Sequence, residues 1–330
     1  MKIAFFDTHR YDQESFDRQN AAHRHEITYF QERLKPDTAM LARGHEAICV
    51  FVNDQVNAAA LHELQEAGVG LVALRCAGLN NVDLPVAREL GLLVVRVPAY
   101  SPYAVAEHAV ALMLGLNRHL CRANNRVRDG NFSLEGLVGF DMNGKTVGLV
   151  GTGKIGAVVA RIMAGFGCRV LACDLHEDAA LVAATGLRYA AMEEVIRESD
   201  ILSLHVPLTP ETKHVINADA LGRMKPGVML INTSRGALVD TRALLQSLKQ
   251  GHIGAAGLDV YEEEGGVFFK DLSGEVLQDD VLARLLTFPN VLITSHQAFL
   301  TKEALKNIAD TTLESIAAWG KGTPLAHLAG

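Results

Sequence analysis

The chain has no excess of basic residues. Its 31 Lys and Arg against 38 Asp and Glu leave a net charge of −7, without the basic surface that sequence-independent nucleic-acid binding uses to neutralise phosphates. The most basic stretch, 118–128 with Arg122, Arg126 and Arg128, reads as a solvated helix face or a subunit contact. The five cysteines (Cys49, Cys76, Cys121, Cys168 and Cys173) form no C-x-x-C pair, and no metal-ligand spacing occurs; no metal is expected. An odd, scattered set points to reduced thiols in a cytoplasmic protein. Long hydrophobic runs are also missing. The apolar start covers only Ile3 to Phe6 before Asp7, too short for the core of a secretory signal. The most apolar helical stretch, 105–116, carries Glu107 and His108 and is too short to span a bilayer. Repeats and low-complexity tracts are absent.

What is present is an ordinary globular composition, 49% hydrophobic and 21% charged over 330 residues, which suits two domains. Strand-like runs at 2–6, 27–30, 47–51, 70–75 and 92–96 alternate with helical ones such as 58–67 and 84–90. A break at Pro98 and Pro102 precedes one long helix over 103–127, then a glycine-containing loop over 129–145. A second series places strands at 146–150, 169–173, 201–204, 228–232, 255–259 and 291–294. Such alternation predicts parallel sheets flanked by helices, an α/β fold. A last helix, 302–319, follows the second sheet and is free to pack on the first. The expected domains are therefore 1–100 with 298–330, and 101–297.

Only the second series has a glycine loop. Val147-Gly-Leu-Val-Gly-Thr-Gly-Lys-Ile-Gly156 runs from an apolar strand into an apolar helix at 155–166. In that context Gly151, Gly153 and Gly156 serve the tight turn, the approach of a pyrophosphate and close helix–strand packing. The helix N-terminus adds unpaired N–H groups. Taken alone, the same letters also fit an unrelated glycine-rich turn. Asp174, just past the next strand, is placed to accept both ribose hydroxyls and to repel a 2′-phosphate, which predicts NAD rather than NADP.

Three charged or titratable side chains follow later strands: Arg235, Glu264 and His296. Ligands of an open parallel sheet bind beyond the carboxyl ends of its strands, so these three are expected beside a nicotinamide. Hydride transfer at a 2-hydroxy acid needs a proton acceptor near neutrality, a role for His296. A neighbouring carboxylate favours the imidazolium, and an arginine clamps the substrate carboxylate with two parallel hydrogen bonds. Spacing alone does not choose among Glu262, Glu263 and Glu264, and Arg235 also fits a surface ion pair. His108 reads as a packed helix residue rather than a catalyst.

The blocks Gly151-Thr-Gly-Lys-Ile-Gly156, Leu204-His-Val-Pro-Leu-Thr209, Ile231-Asn-Thr-Ser-Arg-Gly236, Gly257-Leu-Asp-Val-Tyr261 and Ser295-His-Gln-Ala298 occur in order along the chain. In them it resembles the D-isomer-specific 2-hydroxyacid dehydrogenases over essentially its full length. The stretches 261–264 and 296–301 are most similar to lactate-type members, which like this chain, with Gly265, differ locally from the many relatives that have proline after the glutamate. The resemblance implies two Rossmann- or flavodoxin-like domains with the active site in the cleft between them. It selects Glu264 as the acid that supports His296, with Arg235 as clamp. It implies NAD contacts at Lys154, Ile155, Val206, Pro207, Thr212, Thr233, Ser234 and Asp259, Asp259 having a structural role as its alternative. It maps a substrate loop onto Gly78 and Leu79, and places Tyr100 and Phe299 as pocket walls. The implied reaction is NADH-dependent reduction of pyruvate to D-lactate, by a homodimer or homotetramer built on the 103–127 helix. A larger 2-keto acid and a nonenzymatic NAD-binding corepressor are the competing expectations. Hinges are expected at 98–100 and near Ala298.

Overall fold

The computed structural model describes residues 1–329; Gly330, included in the expected first domain, lies outside the described residues. Two compact units divide the chain at Ser101/Pro102 and at Ala298/Phe299, each boundary one residue later than expected.

The first unit carries β1 (Lys2–Phe5), β2 (Glu26–Tyr29), β3 (Ala47–Val50), β4 (Leu71–Leu74) and β5 (Leu93–Arg96). They form one sheet in the order β2-β1-β3-β4-β5, every neighbouring pair parallel. β3 and β4 are apolar and buried throughout, as strands covered by helices on both faces must be. The helix Lys302–Gly320 packs on the helix Arg10–Asn20 and on β4 and β5, so both ends of the chain build this unit. Trp319 lies so close to the backbone at Gly70 that a Cβ there would meet its ring at 2.6 Å. The helix Arg10–Asn20 has no clear apolar stripe, since it buries only Asp12 and Phe16; sequence periodicity therefore does not announce it.

The second unit contains β6 (Thr146–Val150), β7 (Arg169–Cys173), β8 (Arg188–Tyr189), β9 (Ile201–Leu204), β10 (Val228–Asn232), β11 (Ile253–Leu258) and β12 (Val291–Ile293). The order is β12-β11-β10-β9-β6-β7-β8, again parallel throughout. Chain direction across the sheet reverses at β6, the switch point where such sheets bind ligands at their carboxyl edge. β8 is an unexpected two-residue edge strand.

The expected single helix over 103–127 is two helices, Pro102–Asn117 and Leu120–Arg128. His119 between them takes a left-handed backbone, φ 50°. The buried Asn117 explains the stop: its Nδ2 donates to the Phe140 carbonyl and its Oδ1 accepts from the Phe140 N–H, both at 2.8 Å. The helix Pro102–Asn117 buries nine positions against β10, β11 and the helix Lys154–Gly165.

Candidate active site

The loop after β6 has the form a dinucleotide requires. Gly151 holds φ 95°, a left-handed conformation that suits glycine, and a Cβ there would strike the His205 carbonyl at 2.8 Å. Gly156 packs against the Gly151 carbonyl with no room for a side chain, whereas a Cβ on Gly153 would stand in open space. The helix Lys154–Gly165 starts there with no side-chain cap, leaving its first N–H groups for an anion. Lys154 is exposed. The Ile155 side chain packs on the core beneath, so only its backbone is available to a cofactor.

Asp174 follows β7 and is exposed. One oxygen accepts from the Thr152 N–H at 2.6 Å and its hydroxyl at 3.0 Å, the other from the His176 N–H at 3.0 Å. Burial opposes ionisation, yet these bonds hold the carboxyl below its ordinary range. The carboxylate expected to meet the ribose is thereby kept charged and oriented. Beyond β9, Val206, Pro207 and Thr212 share one tight loop, in which the Thr212 hydroxyl donates to the Pro207 carbonyl at 2.7 Å and accepts from the Thr209 N–H at 2.8 Å.

Arg235 sits three residues past β10 on a turn built by Asn232, a buried residue that sequence reasoning left unassigned. Its Oδ1 accepts from the Ser234 N–H at 3.0 Å and its Nδ2 donates to the Arg235 carbonyl at 2.8 Å. The signal was available, because asparagine at a strand end favours such side-chain turns. The Ser234 hydroxyl is tied to the Leu204 carbonyl at 2.8 Å. The Thr233 hydroxyl is buried with no partner among the described residues, an orphaned group that a carboxamide would satisfy. With the Gly153 opening and the uncapped helix, it fits NAD.

The three adjacent glutamates separate cleanly. Glu262 accepts from His214 Nε2 at 2.6 Å, Glu263 is exposed, and Glu264 Oε1 accepts from His296 Nδ1 at 2.8 Å. The other Glu264 oxygen accepts from the Tyr261 N–H at 3.2 Å. The pair fixes the ring and leaves His296 Nε2 for proton exchange. Gly236 joins the arginine turn to this loop, because a Cβ on it would fall 2.1 Å from the Tyr261 carbonyl carbon.

Asp259, at the end of β11, is fully buried. Its Oδ1 accepts from the Thr294 hydroxyl at 2.7 Å and the Gln297 N–H at 2.8 Å, its Oδ2 from the Ala298 N–H at 2.9 Å, and its backbone carbonyl from the His296 N–H at 2.5 Å. Burial disfavours the charge, but bonds from His108, Thr294 and Ala298 outweigh it and hold this carboxyl below its ordinary range. Asp259 thus supports the His296 segment from beneath.

β10, β11 and β12 are adjacent, so Arg235, Asp259 and His296 lie at one carboxyl edge, with the glycine loop at the same edge two strands further on. Gly78, Leu79, Tyr100 and Phe299 belong to the first unit. There Phe299 packs among Phe51, Tyr100 and Tyr11, ring centroids 5.5, 6.3 and 6.3 Å away. The N–H groups of Gly78 and Leu79 donate no hydrogen bond among the described residues. Nor does any cluster there offer three metal-ligating side chains.

A glycine loop, a hydrogen-bonded histidine–glutamate pair and an arginine at one sheet edge are the arrangement expected of a dinucleotide-dependent oxidoreductase. Comparison with known proteins specifies it. Residues 110–298 match the family described as D-isomer specific 2-hydroxyacid dehydrogenase, NAD binding domain. The chain is 52% identical to a 2-hydroxyacid dehydrogenase homolog of Zymomonas mobilis over 317 residues, 96% of each chain. It is also 52% identical to D-lactate dehydrogenase of Escherichia coli over 322 residues, 98% of each. A solved structure reported as the pyruvate reductase of Chlamydomonas reinhardtii superposes with TM-score 0.93 at 46% identity, covering 99% of this chain and 98% of that one. The chain belongs to the D-isomer-specific 2-hydroxyacid dehydrogenases, enzymes that use NAD.

Proposed function

We propose that this enzyme reduces pyruvate to D-lactate with NADH, reversibly, in the cytoplasm. The observation that carries the chemistry is the 2.8 Å bond between His296 Nδ1 and Glu264 beside the Arg235 turn. Similarity to proteins named D-lactate dehydrogenase and pyruvate reductase supports the choice of substrate. When bound, the nicotinamide supplies the hydride to C2 and takes it back in reverse. Protonated His296 gives its Nε2 proton to the ketone oxygen as that oxygen becomes the alcohol, and Glu264 stabilises the imidazolium beforehand. Arg235 binds the substrate carboxylate through its planar fork. Gly151, Gly153, Lys154, Ile155, Gly156, Asp174, Val206, Pro207, Thr212, Thr233, Ser234 and Arg235 hold NAD in this reading, and Asp259, fully buried, takes its structural alternative. The free amides of Gly78 and Leu79 take the carboxylate, with Tyr100 and Phe299 as walls suited to a methyl group.

The test is NADH oxidation with pyruvate and with 2-ketoisocaproate, followed by chiral analysis of the product. Higher kcat/KM for pyruvate and D-lactate as product are expected; the opposite preference makes this a dehydrogenase for a larger 2-keto acid. His296→Ala is expected to lower kcat by about a hundredfold or more while retaining NADH binding. Unchanged turnover would remove His296 from the reaction.

A further inference from the structure

We propose that His108, on the helix Pro102–Asn117, is a positioning residue for His296. The inference rests on the reading of His296 as the acid–base group. Its warrant is the direction of the hydrogen bonds below the His296 segment. The Thr294 hydroxyl has one proton, and it goes to Asp259 Oδ1 at 2.7 Å. His108 Nε2 lies 2.9 Å from the same hydroxyl oxygen, which can therefore only accept, so His108 must carry its proton on Nε2. That N–H also lies 3.4 Å from Asp259 Oδ1. His108 fixes which way the threonine donates and adds a second donor toward the carboxylate.

What the carboxylate carries is under strain. Ser295 and His296 are consecutive non-glycine residues with φ of 51° and 55°, the left-handed conformation that side chains with a Cβ disfavour. The bonds of Asp259 to the Thr294 hydroxyl, to the N–H groups of Gln297 and Ala298, and through its carbonyl to that of His296 span the strained pair. A neighbouring helix that supplies a donor to this node holds the imidazole in register from outside its own loop. His108 makes no hydrogen bond, ion pair or ring contact with Glu264 or His296 among the described residues, which makes its role one of position rather than proton transfer.

The experiment compares His108→Leu, His108→Gln and Thr294→Val with the parent and with His296→Ala, using NADH and pyruvate or whichever 2-keto acid the enzyme turns over. Glutamine places an N–H donor near the Nε2 position; leucine fills the space without one. His108→Leu and Thr294→Val are each expected to lower kcat by about ten- to a hundredfold, the scale of a small misplacement of a reacting group, with the NADH Kd within about twofold. His108→Gln should recover most of kcat, and the leucine–valine double variant should lose little beyond either single one. Parent-like kcat in His108→Leu overturns the proposal, and so does equal loss in the leucine and glutamine variants together with loss of NADH binding, which marks packing alone. If His296→Ala keeps full turnover, the acid–base reading has failed; an inactive His296→Ala beside an unaffected His108→Leu refutes only the role of His108.

Discussion

Adjacent residues of one type have different fates in this site, and that sets what a sequence discloses. Glu262, Glu263 and Glu264 stand in a row, but only the fold turns Glu262 toward His214 and Glu264 toward His296. The placement of Arg235, His296 and the glycine loop past strand ends was legible because the proposed chemistry needs those residue types there. Asn232, Thr294 and the link from His108 were not, because their partners lie on other elements. Asp174 was legible too, and its role can be tested. Asp174→Ala should narrow the preference for NADH over NADPH by roughly tenfold or more, since it removes a like charge from the 2′-phosphate position. It should also raise the NADH KM by freeing Thr152. Initial rates with both cofactors check this, and an unchanged ratio contradicts it. His205, below the loop, gives a pH effect. Although the residue as a whole is half-buried, its Nδ1 is sealed without a partner among the described residues, and burial pushes its pKa down from 6.5 to about 4. Between those values the unfolded chain binds the proton that the folded chain refuses, so stability falls as pH falls. Urea unfolding near pH 7.5 and pH 5 should show the parent losing about 2 kcal/mol more than His205→Gln over that interval. Equal losses would show that the ring titrates normally.

At the level of elements, the central strands were readable because a parallel sheet buries both faces, so β3, β4, β6, β9 and β10 are short runs buried throughout. Errors fell where this argument has no purchase. β8 has two residues and an edge position, and the helix Arg10–Asn20 buries too little to show a period. The missed break at His119 is the instructive case. The sequence on either side forms helix well enough, and the stop comes from Asn117 bonding to Phe140, a partner 23 residues away. Asn117→Ala would remove both bonds to the exposed Phe140 backbone, a loss of about 0.5–1.5 kcal/mol each. It should lower the thermal midpoint and open the 130–140 segment to limited proteolysis. Protease resistance equal to the parent's would mean that other contacts hold that segment.

For the whole molecule, the question is which surface a second copy covers. The sequence pointed to the helix starting near Tyr103 because of its broad apolar face. The structure uses that face internally, with Ala106, Ala109, Leu112, Met113 and Leu116 buried within the second unit. The unspent apolar surface lies further along. Leu120 and Val127 on the next helix are exposed, and in the following loop Phe132, Leu134 and Val138 are 75, 80 and 88% exposed. Side chains of this kind clustered in one short stretch mark an association surface, and homo-oligomers commonly pair one patch with its own copy about a two-fold axis. A homodimer through residues 120–140, with a homotetramer as its further assembly, is thus the expected state in solution. Light scattering should give at least twice the 35.6 kDa chain mass for the parent. Leu134→Asp combined with Val138→Asp, which puts two charges into the patch without touching either sheet, should shift that mass toward one chain. A parent that runs as a single chain at working concentration refutes the association, and a charged variant that stays fully assembled moves the interface elsewhere.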